Sequence, residues 1–150
     1  MNYASAFWAG ISGGVVMSCL MIIDINFAFM IGTLFGLSPS QATWLFGYIL
    51  YLIIAGLIGI IYAIAFETIT QQADWKIGAM FGLIHLAVSG LFLGILPIIH
   101  PAIPEVIPAP GPFAINLGVV NVASFVVFHL IYGAIVGALY QPVQYTSYVE

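Results

Sequence analysis

The amino-acid sequence predicts an all-α fold: a transmembrane bundle of four helices, with a short extra helix or a re-entrant, interfacial segment between spans 1 and 2. Three observations predict it. Of 150 residues, 63% are hydrophobic and 4% are charged, whereas an average soluble domain is about 25% charged. One basic and five acidic side chains with three histidines cannot keep that apolar mass in water. Four apolar runs reach the roughly 20 residues needed to cross about 30 Å of hydrocarbon. None of them alternates in polarity as a barrel strand does, and a backbone in lipid must satisfy its own polar groups, so the runs are helices. The same composition is the opposite of the disordered signature. The whole chain, 1–150, reads as a single integral membrane domain.

Span 1 covers about 7–24 and includes GISGGVVMSCLMII. The residues before it lack the basic region of a cleavable signal peptide, so this span is expected to act as its own retained insertion signal. One straight helix from Phe7 to Phe35 would be about 43 Å long, too long for the hydrocarbon layer unless steeply tilted. A break is therefore expected near Asp24 to Asn26, with Asp24 capping the interfacial segment, about 25–36, that follows. Ser38-Pro39-Ser40 reads as a turn and as the start signal for span 2, about 44–66. The connection from Glu67 to Lys76 holds three of the charged side chains, and Glu67 and Asp74 are expected to be solvated. Span 3 covers about 77–99, with Pro97 expected to kink or end it. The Pro-rich loop 100–112, HPAIPEVIPAPGP, must be extended and stiff. Span 4 covers about 116–140, where Asn116 is expected to cap the helix and Asn121 to bond a neighbouring one.

Trp8, Trp44 and Trp75 stand at span starts, at the headgroup level that indole rings favour. Four crossings leave both termini on the side of the Glu67 to Lys76 connection. Lys76, the one basic residue, assigns that side to the cytoplasm by the positive-inside rule. A multi-pass protein of the cell (inner) membrane with both termini cytoplasmic is expected. No repeat supports an inverted-repeat transporter.

Composition also limits the partners. With a single cation, no nucleic acid can be held through its phosphates, and no polybasic lipid-surface site exists. The expected partners are the lipid bilayer and a homo-oligomer or larger membrane complex. Cys19 is the one cysteine and reads as a small apolar filler. Gly78 and Gly82, Gly90 and Gly94, and Gly133 and Gly137 each have the GxxxG spacing, and Gly10 and Gly14 lead to Ser18. In lipid such small residues let helices approach closely.

The candidate site residues are the polar groups within or beside spans: His85, His129, Asp24, Ser89 and Asn121. His85 and His129 lie at similar distances from the same side of the membrane and on small-residue faces, and ionisable residues within spans are functional-site hypotheses by default. The structural alternative is a neutral imidazole bonded across a helix seam. Three chemical readings stand beside it. One is a bis-histidine haem between spans 3 and 4. Another is a copper site formed by the two histidines with thioethers such as Met17, Met21 or Met80. The last is a proton or small-solute pathway that also uses Tyr51 and Tyr62. The metal assignment is none, with His85 and His129 the candidate ligands for either metal reading, and the cofactor is unknown. Asp24 reads as a helix-end residue, or as a coupling carboxylate. His100 is expected to be solvated or tied to Glu105. Nucleophile elbow, Walker loop, dinucleotide fingerprint and HExxH are all absent, which points away from an enzyme.

The fourth span and its approach, GPFAINLGVVNVASFVVFHLIYGAIVGALY, resemble the closing element of a family of small bacterial four-span integral membrane proteins of unknown function. The shared pattern is H-[LI]-x-Y-G-x-x-x-G-x-x-Y, here His129, Tyr132, Gly133, Gly137 and Tyr140. The Gly-rich first span GGVVMSCLM and the third span closing on LPIIHP extend the resemblance loosely over most of the chain. Relatives often carry a histidine early in span 2, where this chain has Tyr51, so a three-histidine site is not implied. The resemblance implies the four-span topology and supplies no activity.

Overall fold

A computed structural model describes residues 1–21, 27–38, 40–100 and 108–142. Every regular element among them is helical. In chain order they are α1 (Tyr3–Met21), α2 (Phe27–Leu34), α3 (Gln41–Ala65) continued by a π-helical turn (Phe66–Thr70), α4 (Trp75–Ile99), a 3₁₀ turn (Pro112–Leu117) and α5 (Val119–Leu139). Three helices are long and apolar enough to cross a membrane: α3 with its π turn, α4 and α5. Large apolar side chains such as Leu45, Leu57, Ile61, Leu83 and Leu91 point outward, as a hydrocarbon solvent allows and water does not. The expected break and the cap at Asp24 lie outside the described residues, as do Pro39, Glu105 and the side chains of Cys19 and Met21.

Two helices start earlier than their apolar runs because their caps lie outside those runs. The Ser40 hydroxyl accepts from the Thr43 N–H at 3.2 Å and starts α3. Asp74 Oδ1 accepts from the N–H groups of Lys76 and Ile77 at 2.7 and 2.9 Å and starts α4. A carboxylate there meets donors that have no intrahelical partner; Asp74 is exposed, as expected, and also caps the helix. Glu67 is engaged as well: it accepts from the Tyr140 hydroxyl and pairs with the Met1 amine at 3.2 Å. Pro97 does not end α4, which runs on to Ile99. It sits in the last turn, so its missing N–H removes a single ladder bond, and the His100 N–H closes the end on the Leu96 carbonyl at 3.0 Å.

Helix α5 starts at Val119, later than expected, because the residues before it fold differently. Phe113 and Ala114 both have left-handed backbone, φ 54° and 62°, at a cost of about 1–2 kcal/mol each. Asn116 does not cap α5. Its Nδ2 donates to the Ala109 carbonyl at 3.1 Å and closes the turn on itself, and the N-cap is Gly118, which has no side chain to offer. This turn seats the Phe113 ring over Gly90 and Pro112 over Gly94 on α4.

Helices α1 and α3 run antiparallel. A Cβ built on Gly10 would land on the Ala55 carbonyl oxygen and lie 3.0 Å from the Gly59 Cα, and one on Gly14 would lie 2.7 Å from the Ala55 Cβ. Helix α2 continues along the first half of α3: Gly32 abuts Thr43, and Gly47 abuts Ala28. With Met30 and Ile31 buried, α2 is tucked into the bundle. Helices α4 and α5 also run antiparallel, meeting at Gly78, Gly82, Gly133 and Gly137. Two apolar clusters form the core. One gathers Ala6, Ala55, Tyr62, Phe66, Tyr132 and Val136; the other gathers Met30, Leu93, Leu96, Ala114 and Phe125.

Candidate functional site

Where α4 and α5 meet through glycine, their side chains one turn further on are forced together. His85, on α4, and His129, on α5, have ring centroids 4.7 Å apart with planes at 77°. His129 is 3% exposed, and both of its nitrogens are engaged. Nδ1 lies 2.7 Å from the Phe125 carbonyl oxygen, and Nε2 lies 2.7 Å from Ser89 Oγ. A carbonyl oxygen only accepts, so Nδ1 carries hydrogen. Ser89 Oγ also lies 2.7 Å from the His85 carbonyl and 3.3 Å from that of Leu86.

Helix α3 completes the cluster. The Tyr62 hydroxyl is 3.4 Å from His85 Nδ1. The Tyr132 hydroxyl donates to the Ala55 carbonyl at 2.6 Å, and its ring stands edge-on to both His85 and Tyr62, 5.4 and 5.7 Å away. Tyr51 donates to the Gly14 carbonyl at 3.0 Å and joins α3 to α1. Apolar groups close the cluster at either end. Towards the Pro-rich loop the Phe125 ring lies 4.3 Å from His129 and belongs with Leu93 and Leu96. Towards the chain termini Phe66 and Phe81 pack on Tyr62.

No family model, curated protein or solved structure matches this chain.

Of the candidate residues, the structure brings His85, His129 and Ser89 into one hydrogen-bonded group. Asn121 is elsewhere: its Nδ2 donates to the Leu117 carbonyl at 2.8 Å, at the end of the 3₁₀ turn that leads into its own helix. Asp24 is outside the described residues. His100 caps the end of α4. Tyr132, which sequence reasoning did not place in the site, is central to it. The available signal was its three-residue spacing from His129, which puts both on one helix face.

Neither haem nor copper fits these residues. A bis-imidazole metal needs one nitrogen from each ring directed at a common centre, but both His129 nitrogens are committed to Phe125 and Ser89, and the rings meet edge to face. Met80 is 66% exposed on the outer face, and Met17 is buried in the first core cluster. Among the described residues no group of three or more His, Cys, Asp or Glu is placed to hold a metal ion.

Proposed function

We propose that this chain crosses the bilayer four times, through α1, α3, α4 and α5, and works without catalysis as a structural or accessory component of a membrane assembly. The observation that carries this reading is the self-sufficiency of the polar groups inside the bundle. Among the described residues no buried side-chain nitrogen or oxygen lacks a hydrogen-bond partner, and those at mid-depth bond one another or a backbone carbonyl. Polar contacts of this kind act as glue between helices in lipid, each worth about 0.6 kcal/mol on average. The fourth crossing is supported by α1, whose 19 residues span about 28 Å and pack antiparallel along α3. Lys76 supports a cytoplasmic location for both chain ends. A continuous conduit is disfavoured by the Phe66–Phe81 and Phe125–Leu93–Leu96 layers on either side of the cluster.

Blue-native electrophoresis of gently solubilised membranes tests the assembly role. Migration in a complex, with itself or with other chains, is expected, and migration solely as a free monomer overturns it. The optical spectrum and metal content of the purified protein test the absence of redox chemistry. No Soret band and no stoichiometric copper are expected; either one would reject the non-redox reading.

A further inference from the structure

The two helix pairs share one contact register. In the first pair a Cβ on Gly10 meets the Ala55 carbonyl and the Gly59 Cα, and one on Gly59 meets the Ala6 carbonyl and the Gly10 Cα. In the second pair a Cβ on Gly78 meets the Gly133 carbonyl and the Gly137 Cα, and one on Gly137 meets the Asp74 carbonyl and the Gly78 Cα. The same register aligns YLIIAGLIGIIY, from Tyr51 to Tyr62, with HLIYGAIVGALY, from His129 to Tyr140. It also aligns Met17 with His85, each seven residues past its glycine.

The first pair is therefore a control built into the molecule. It closes a seam of the same register, with Ala55 in place of Gly133, and carries Met17 and Tyr51 at the positions where the second pair carries two histidines. Seam packing alone does not require imidazoles there.

We propose that His129, with Ser89 and the His85 carbonyl, forms a binding site for a single proton. Donor counting leads to it. His129 Nδ1–H points at Phe125, so the lone pair of the neutral ring is on Nε2, facing Ser89. The Ser89 hydroxyl has one hydrogen and two acceptors at 2.7 Å, His129 Nε2 and the His85 carbonyl. With the ring neutral, the hydroxyl donates to Nε2. When a proton bonds to the Nε2 lone pair, the hydroxyl hydrogen turns to the His85 carbonyl, and Ser89 Oγ accepts from the new Nε2–H. No heavy atom has to move and no donor is left facing a donor. Packed against the histidine pair are Tyr62 from α3, Ser89 from α4, and Phe125 and Tyr132 from α5. Among the described residues no carboxylate or lysine bonds to it or stacks on it. The Phe125 ring lies 4.3 Å from the imidazole, its plane tilted by 56°. The proposal goes beyond the assembly role and stands or falls separately from it.

Nitrogen-15 NMR of the imidazoles, recorded on the full chain in lipid nanodiscs from mildly alkaline to mildly acidic pH, tests the site. At the alkaline end a ring protonated at Nδ1 alone is expected, identified by its loss in His129→Gln. On acidification its Nε2 resonance should move to the protonated range while the amide spectrum stays dispersed. A neutral ring protonated at Nε2 overturns the proposal, as does an Nε2 that never protonates or that protonates only as the fold is lost. Ser89→Thr should keep this proton uptake and Ser89→Ala should remove it from the same pH range; uptake unchanged in Ser89→Ala overturns the part assigned to the hydroxyl.

Discussion

Replacing Gly133 with alanine should destabilise the bundle by about 1–3 kcal/mol, although alanine is the better helix former by about 1 kcal/mol. The reason is what the new methyl group meets. A Cβ on Gly133 lands on the Gly78 carbonyl oxygen and lies 3.0 Å from the Gly82 nitrogen. Both are backbone atoms of a helix and cannot turn aside as a side chain would. Relief requires α4 and α5 to separate, and separation forfeits the van der Waals contact that drives helix association in lipid. It also pulls His85 from His129. Denaturant-driven unfolding in mild detergent, followed by circular dichroism, measures the cost. Leu91→Ala, on the outward face of α4, serves as the comparison and should shift stability by no more than about 0.5 kcal/mol. If Gly133→Ala proves as stable as the parent, the α4–α5 seam is not the close approach described.

The helical class was legible because composition and run length act over the whole chain: a sequence so poor in charge has few folds open to it. Helix ends were less legible where they depend on one side chain outside the apolar run. Ser40 and Asp74 extend α3 and α4 beyond their hydrophobic windows, and the left-handed pair Phe113–Ala114 delays α5. No propensity argument anticipates two successive non-glycine residues in that conformation. The seam glycines and the two histidines could be picked out by spacing, but the partners of the histidines could not. Ser89 reaches His129 and Tyr62 reaches His85 only after two helix pairs have docked. The shared register of those pairs was hidden for a related reason. The matching positions are spaced differently along the chain, 45 residues from Gly10 to Ala55 and 55 from Gly78 to Gly133, so the correspondence becomes visible when contacts rather than residue numbers are aligned.

The largest effect is expected at Tyr132, and two substitutions there separate packing from hydrogen bonding. Tyr132 is 1% exposed. Its ring covers Gly13 on α1, touches Tyr62 and His85 edge-on, and its hydroxyl bonds the Ala55 carbonyl of α3. One side chain thus holds α5 against all three neighbouring long helices. Tyr132→Phe keeps the ring and removes the one hydrogen bond, at a cost of about 0.6 kcal/mol and no more than about 1.7. Tyr132→Ala opens a void that backbone helices cannot collapse to fill, at a cost of about 3–5 kcal/mol. A comparable loss in both variants would mean that the hydroxyl, and not the ring, secures the junction. Little loss in either would mean that Gly13 and Tyr132 do not meet as described. The expected ordering, a small effect for phenylalanine and a large one for alanine, follows from a solvent as apolar as the side chain itself. In lipid the ring gains little by leaving its surroundings, so its worth lies in the atoms it touches, and Tyr132 touches three helices.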